Sequence, residues 1–441
     1  MNILVPSSRK ELDELIEQHL RDFGPTCDLN HIDVSNITNM SALFKNSPFN
    51  GDISQWNVSN VRSMLSMFED SAFNGDISKW NVSGVDTMQE MFVRSVFQGD
   101  ISKWDVSNVL SMHSMFVGAP FNQDIAAWNV SRVISMDSMF LGSSFNGDLS
   151  RWDVSNVQDM SYMFSNSQFN GEISMWNTSN VTSMQEMFTE SRFQGEISEW
   201  DVSKVTNMYA VFDHSKFNGN ISNWDVSNVT DMAYAFNHSQ FTGDLSKWDV
   251  SNVRDMQGMF KNSQFNGDIS SWNVSNVTNM ELMFCKAKEF NQPLNNWDVS
   301  NVINMNSMFF GAQNFNQDIS KWNTSEVTDM NCMFYCAKNF NQNISSWDIS
   351  KVTTMKEIFA YTIKFNQNIS KWNLENIKNI DYMFYKAEAF YKKFNNNIPL
   401  PLENNDLKEW FNLNRDKMNM IDVKDKHGVE LDNFFSNFIF Q

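Results

Sequence analysis

Tryptophan recurs in this chain at a fixed interval. Trp56, Trp80, Trp104, Trp128, Trp152, Trp176, Trp200, Trp224, Trp248 and Trp272 step by 24 residues, and Trp297, Trp322, Trp347 and Trp372 by 25. A period in the twenties describes one supersecondary unit that cannot bury its apolar face alone and stacks on copies of itself until the faces merge. The chain is therefore expected to be a solenoid. Ile32 holds the Trp place in an earlier unit, with Leu29, Val34, Ile37, Met40 and Phe44 at the matching offsets, so the array has about fifteen units.

Alignment on the Trp exposes two local periods. Phe stands seven residues before all fourteen Trp, from Phe49 to Phe365, and Ile or Leu three before, as Ile53 and Leu149. Ile53, Trp56 and Val58 alternate like the inward side of a short strand. Val61, Met64 and Phe68 follow the spacing of one helix face. Ser59 and its equivalents, three after the Trp, suit the cap of that helix, and Phe-Asn-Gly-Asp, as at Phe49 to Asp52, suits a tight corner. The expected fold class is an α/β solenoid: a right-handed superhelix with parallel strands on the concave face and short helices on the convex face.

Both ends of the array need closing, since an open solenoid end exposes core and edge. Residues 1–24 read as an N-terminal helical cap, with Ser8 opening a helix from Arg9 to Leu20 that carries Leu12, Leu15, Ile16 and Leu20 on one face. Residues 25–390 read as one repeat solenoid without separate domains. Residues 391–441 read as a C-terminal cap, Trp410, Phe411, Phe434, Phe435, Phe438 and Phe440 supplying apolar cover, with a partner-docking tail as the alternative. The first 25 residues carry no basic leader followed by an apolar run, and nowhere do eighteen apolar residues follow one another. A cytoplasmic chain without membrane insertion is the expectation from these residues.

Ile-x-x-Trp-x-Val is a variant of the strand of leucine-rich repeats, and the period lies in their range. The fuller string, Phe-Asn-Gly-Asp-Ile-Ser-x-Trp-Asp/Asn-Val-Ser-Asn-Val-Thr-x-Met-x-x-Met-Phe, resembles the BspA-like leucine-rich repeat proteins over about residues 25 to 390. The resemblance departs from ordinary leucine-rich repeats where Asn usually follows the strand; Val61, Val85 and Val109 stand there. It implies a surface or secreted binding protein, some members being adhesins, and it brings no catalytic residues. It also implies the cell surface, against the cytoplasmic expectation from the N-terminus.

Composition narrows the chemistry. A formal net charge of −19 disfavours nucleic acid and anionic membranes and favours a basic partner. The 29 Met fall at core spacing beside Phe rather than in a soft-metal pattern. Cys27, Cys285, Cys332 and Cys336 have neither disulfide-framework nor metal spacing and read as free thiols. His214 and His238 share a repeat position and read as exposed helix residues, a two-His metal site being the sharper alternative. The Asn-x-Ser strings, such as Asn57-Val58-Ser59, lie inside the expected strand and read as by-products of duplication. An acidic ladder runs four residues before the Trp (Asp52, Asp76, Asp100, Asp124, Asp148, Glu172, Glu196), and Asp201, Asp225 and Asp249 follow one another just after it. Bonds to backbone amides would explain such Asp residues, and calcium between units is the alternative. No cofactor is expected.

The residue just before each Trp varies most, so it is the candidate binding position on the concave face: Gln55, Lys79, Lys103, Ala127, Arg151, Met175, Glu199, Asn223 and Lys247. Fixed positions build a frame and variable ones can carry recognition. Tyr162, Tyr209 and Tyr234 offer a second patch. The expected function is a non-catalytic, monomeric scaffold that binds a protein, or a glycan, along its sheet. The alternative is an intracellular acidic structural or inhibitory partner of a basic protein, with nucleic-acid mimicry as its extreme. No enzyme constellation stands out from the repeat.

Overall fold

The computed structural model describes residues 3–427, with side chains through residue 421. The chain divides into two compact units, Met1–Gly243 and Asp244–Gln441. Each is a stack of sequence repeats; the chain is a repeat solenoid protein.

In the first unit the stacking is set by single-residue parallel bridges rather than long strands. Asn39 pairs with Ser63, Ser63 with Thr87, Thr87 with Ser111, and so on to Asp231, always seven residues past the Trp position. The preceding residues form a second backbone ladder: Arg62 N donates to Thr38 O at 2.8 Å and Asp86 N to Arg62 O at 3.0 Å. The second unit repeats both, with bridges from Asp255 to Asn379.

The helix expected from plus five to plus twelve does not form. A run of tight turns takes its place: Met67 N donates to Met64 O, Glu69 N to Ser66 O and Ser71 N to Phe68 O, each at 3.2 Å. The intervening amides point forward into the next repeat, Met64 N to Thr87 O at 3.1 Å, Ser66 N to Gln89 O at 2.9 Å, Phe68 N to Met91 O at 2.9 Å and Asp70 N to Val93 O at 2.8 Å. A helix would consume all of these donors internally. Room decides the matter as well. Equivalent rings recur at 5.6 Å (Phe68 to Phe92), 6.2 Å (Phe73 to Phe97) and 6.4 Å (Trp56 to Trp80), whereas helices packed side by side need about 8–10 Å. Each run of turns needs two residues in the left-handed region, Ser66 (φ 53°) and Asp70 (φ 51°) in one repeat, Glu90 (φ 57°) and Arg94 (φ 49°) in the next.

The strand expected at Ile53-x-x-Trp56-x-Val58 is likewise two turns, Trp56 N to Ile53 O at 3.1 Å and Val61 N to Val58 O at 2.9 Å. Ser59 caps no helix; its amide and hydroxyl both donate to Asn57 Oδ1, at 3.2 and 2.8 Å. The apolar assignment holds although its secondary structure does not, because turns of this spacing turn the same residues inward. Phe49, Ile53, Trp56, Val58, Val61, Met64 and Phe68 are all buried, as are their equivalents through Trp372.

Tryptophan is chosen over other large residues for its N–H as well as its size. Trp80 Nε1 donates to Ile53 O at 3.1 Å, the carbonyl that also receives Trp56 N. The same bond to the previous repeat recurs within each unit, as Trp104 to Ile77 O and Trp297 to Ile269 O, both at 3.1 Å. The indoles therefore lie nearly parallel, 6° apart for Trp56 and Trp80. Asn residues make a second ladder at the corner, Asn74 N donating to Asn50 Oδ1 at 2.8 Å and Asn170 N to Asn146 Oδ1 at 2.7 Å. The 25-residue repeats accommodate their extra residue with one more turn, Phe290 N to Ala287 O at 3.3 Å.

Helix α1, Arg9–Phe23, opens on Ser8, whose hydroxyl accepts from Glu11 N, and buries Leu12 and Ile16. Arg9 Nη1 reaches Ser41 O at 2.7 Å, a carbonyl with no preceding repeat to bind it. In the second unit α2, Glu388–Phe394, and α3, Asn404–His427, follow the last repeat. α3 buries Leu407, Phe411 and Met418. Its side chains complete the open backbone ladders: Asn404 Oδ1 accepts from Ile380 N at 3.2 Å, Lys408 Nζ donates to Ile377 O at 2.6 Å, and Arg415 Nη2 donates to Trp372 O at 3.1 Å. Phe434, Phe435, Phe438 and Phe440 lie outside the described residues.

Candidate binding surface

The variable residues before each Trp sit at the tips of the Ile-to-Trp turns rather than on the outward side of a strand. Gln55 is the third residue of the turn closed by Trp56 N and Ile53 O. All nine candidates are exposed. Because the adjoining indoles stack in register, Gln55, Lys79, Lys103, Ala127, Arg151, Met175, Glu199 and Asn223 form one row along the first unit. Lys247 belongs to the second unit, in register with Ser271, Asn296, Lys321, Ser346 and Lys371. Met175, at 84% exposure, is the most exposed large apolar side chain described.

Beside this row run the carboxylates of the acidic ladder, and their chemistry is local. Asp52, Asp100 and Asp268 each accept from the amide two residues later at 2.9 Å. That amide holds their pKa below the usual carboxylate value, helped by the Ser hydroxyl at the same place. Asp76 and Asp148 are lowered too, by the hydroxyl first and then the amide. Asp201 and Asp225 repeat the arrangement past the Trp, accepting from Ser203 N at 3.0 Å and Ser227 N at 3.1 Å. The backbone-amide reading of the Asp residues thus matches the geometry. Among the described residues, no group of three or more His, Cys, Asp or Glu is placed to hold a metal ion. Around Glu172 and its neighbours Asn170, Gly171, Gln194 and Gly195 lies a shallow depression of about 350 Å³. A second of about 200 Å³ lies in the other unit, between Trp347, Asp348, Lys371 and Trp372.

The remaining candidates resolve simply. His214 and His238 are exposed turn residues with rings stacked at 4.2 Å, His214 Nδ1 lying 2.7 Å from Asp213 Oδ1. The four cysteines are free. Cys332 and Cys336 lie at left-handed turn positions instead of along a helix, and burial, followed by Glu357, pushes the Cys332 thiol up to about 11. Asn57 lies between turns, exposed, not inside a strand. Tyr209 and Tyr234 meet edge to face at 5.9 Å, and Tyr162 Oη accepts from Gln185 Nε2.

One family pattern, described as "Mycoplasma protein of unknown function, DUF285", matches residues 14–120, 93–193, 188–295, 236–335 and 284–397. The chain belongs to this family. The overlapping matches together run from α1 through the last repeats, so the DUF285 pattern and the stacked frame are coextensive. No curated protein and no solved structure matches the chain.

Proposed function

We propose that this DUF285 protein is a non-catalytic recognition scaffold whose turn-tip row, Lys79 to Glu199 at its centre, grips a protein partner. The observation that carries the reading is the contrast within two adjacent positions. Trp176 is 3% exposed and repeated without variation, whereas Met175 beside it is 84% exposed in a position that carries eight residue types across the fourteen repeats. An exposed Met at the middle of a polar row is an adaptable apolar contact. The flanking Lys79, Lys103 and Arg151 alternate with the carboxylates of Asp76, Asp100 and Asp148, so the row offers both signs to a polar rim. The sequence string supports kinship with BspA-like surface proteins, and adhesion to a protein or glycan is the role that kinship would bring.

The test is capture of partners from the source cells by the immobilised chain, beside Met175→Asp with Arg151→Glu, and beside Gln158→Ala off the row. Loss of the captured species with the row variant alone supports the scaffold. Equal capture by all three overturns it. A second reading is favoured by the net charge of −19 and the acidic ladder: an inhibitory mimic seated in a basic site. That binding would fall steeply between low and high salt, while a desolvated patch around Met175 would weaken little.

A further inference from the structure

Two imidazoles converge where α1 meets the first repeat. His31 is the first member of the turn-tip row: it precedes Ile32 as Gln55 precedes Trp56, in a turn closed by Ile32 N and Leu29 O at 3.0 Å. The nine later tips are exposed, but His31 is half-buried, with His19 of α1 against it. Nε2 of His31 stands 2.9 Å from Nε2 of His19. Each residue is held from elsewhere. His19 rides on a helix seated by Leu12 and Ile16, and the His31 carbonyl accepts from Leu4 N at 2.9 Å.

The neighbour of His19 fixes its tautomer. Nδ1 lies 2.7 Å from Leu15 O; a carbonyl only accepts, so Nδ1 carries the hydrogen and Nε2 of the neutral ring turns its lone pair to His31. A metal-bound histidine is built the same way, its far N–H donated to a backbone carbonyl that fixes ring and tautomer. The spacing agrees as well. Two nitrogens about 2.0–2.1 Å from one ion, at angles of about 90–110°, lie about 2.8–3.4 Å apart. The other histidine pair lacks this geometry. His214 and His238 stack face to face, 14° from parallel with ring centroids 4.2 Å apart, so their ring nitrogens, whose lone pairs lie in the ring planes, run side by side instead of meeting. At His19 and His31 the planes are 49° apart and the nitrogen edges meet.

We propose that His19 and His31 hold one divalent transition ion through their Nε2 atoms, stapling α1 to the first repeat. Imidazole selects Zn²⁺, Ni²⁺ or Cu²⁺ over the oxygen-seeking Mg²⁺ and Ca²⁺. With two protein ligands on half-buried rings, the remaining positions go to water and the ion exchanges. The net charge of −19 raises its local concentration. The staple strengthens the end of the array that Arg9 already ties to Ser41 O, and it is independent of what the turn-tip row grips.

Calorimetric titration of the tag-free full chain with Zn²⁺ at neutral pH, with hydrogen exchange read over α1, tests this. The tightest site should take one ion per chain. Its affinity should fall at least about tenfold in His19→Ala and in His31→Ala, and stay unchanged in His214→Ala with His238→Ala. At Zn²⁺ about a hundred times the dissociation constant, α1 amides that exchange through undocking of the cap should slow at least about tenfold, and Mg²⁺ at the same concentration should leave them unchanged. To separate loss of a ligand from loss of the cap, Cu²⁺ bound to the wild-type chain is read by electron paramagnetic resonance, where two imidazole nitrogens are expected. Absence of Zn²⁺ binding at millimolar concentration overturns the proposal and leaves a plain hydrogen bond between the two rings. Binding that survives both single variants, or that falls with the His214 and His238 variant instead, also overturns it. So does a single nitrogen in the Cu²⁺ spectrum, or α1 exchange indifferent to Zn²⁺.

Discussion

Truncating one central rung isolates what the indole ladder contributes. Trp200 is 3% exposed, stacks on Trp176 at 6.1 Å and 4°, packs on Phe188 at 6.2 Å, and donates from Nε1 to Ile173 O at 3.0 Å. Trp200→Ala removes the ring from a site whose neighbours are pinned by their own ladders and cannot collapse, so the loss should be about 3–5 kcal/mol. Trp200→Phe keeps most of the apolar contact and loses the bond. Ile173 O keeps its bond from Trp176 N, at 3.2 Å, so no acceptor is orphaned and the hydrogen-bond part should be only about 1 kcal/mol. Glu199, one residue away, makes a single long contact with Ser198 at 3.4 Å and is exposed. Glu199→Ala should therefore stay within about 0.5 kcal/mol of wild type. The assay is urea unfolding by circular dichroism. Since repeat arrays need not unfold in one step, hydrogen exchange in the flanking repeats should accompany it. The expected order is Ala well below Phe, with Glu199→Ala at wild type. Equal losses from Trp200→Ala and Glu199→Ala would refute the assignment of interior and surface.

Three further outcomes are expected. Asp52, Asp76, Asp100 and Asp148 have folded pKa values below their unfolded ones, so their stabilisation is present at neutral pH and is lost as pH falls below about 4. The thermal midpoint should drop in acid, and less so in an Asp76→Asn, Asp100→Asn, Asp148→Asn variant. Asn keeps the turn without titrating, as Asn220 already does with Ser222 N at 3.0 Å; a midpoint that is flat or higher in acid counts against this. Glu190 holds φ 53° and is exposed, so Glu190→Gly should raise stability by about 0.5–1 kcal/mol, against the usual penalty for glycine; a lower urea midpoint would contradict the left-handed turn. At Gly51 an added Cβ would lie 1.9 Å from Cys27 O. Gly51→Ala should accordingly cost at least about 1–3 kcal/mol by displacing backbone, and a wild-type melting curve would disprove that close approach.

The core was legible from the sequence because burial depends on which side of the chain a residue faces, and the Trp period samples that side fourteen times. Local structure was not. Val61, Met64 and Phe68 are spaced for a helix, but a run of four-residue turns returns side chains to one side at nearly the same interval. The distinguishing signal, left-handed backbone at plus ten and plus fourteen, is hidden because Ser66, Asp70, Glu90 and Arg94 occupy it without glycine. Only scattered glycines betray it, among them Gly118 (φ 62°), Gly142 (φ 64°) and Gly311 (φ 66°). The N-terminal cap was readable because Ser8 and the Leu12–Ile16 stripe signal a helix locally. Arg9 reaching Ser41 O was not, since it depends on which carbonyls the first repeat leaves open.

The same open backbone explains why so much left-handed strain is tolerated. A non-glycine residue in that region costs about 1 kcal/mol, and the frame accepts one or two per repeat. In return each run of turns sends four amides into the next repeat, as Met64, Ser66, Phe68 and Asp70 do. A helix would bond its amides internally and hold its neighbours too far apart for Trp56 and Trp80 to stack at 6.4 Å. The strain is local, whereas the bonds and stacked rings it permits join repeats, so stability resides between copies rather than within them. Side chains at the turn tips take no part in these bonds by necessity. Gln55, Lys79, Ala127 and Met175 can therefore stand at equivalent places on one unchanging frame, which is the physical condition for side chains to vary along the row without disturbing the stack.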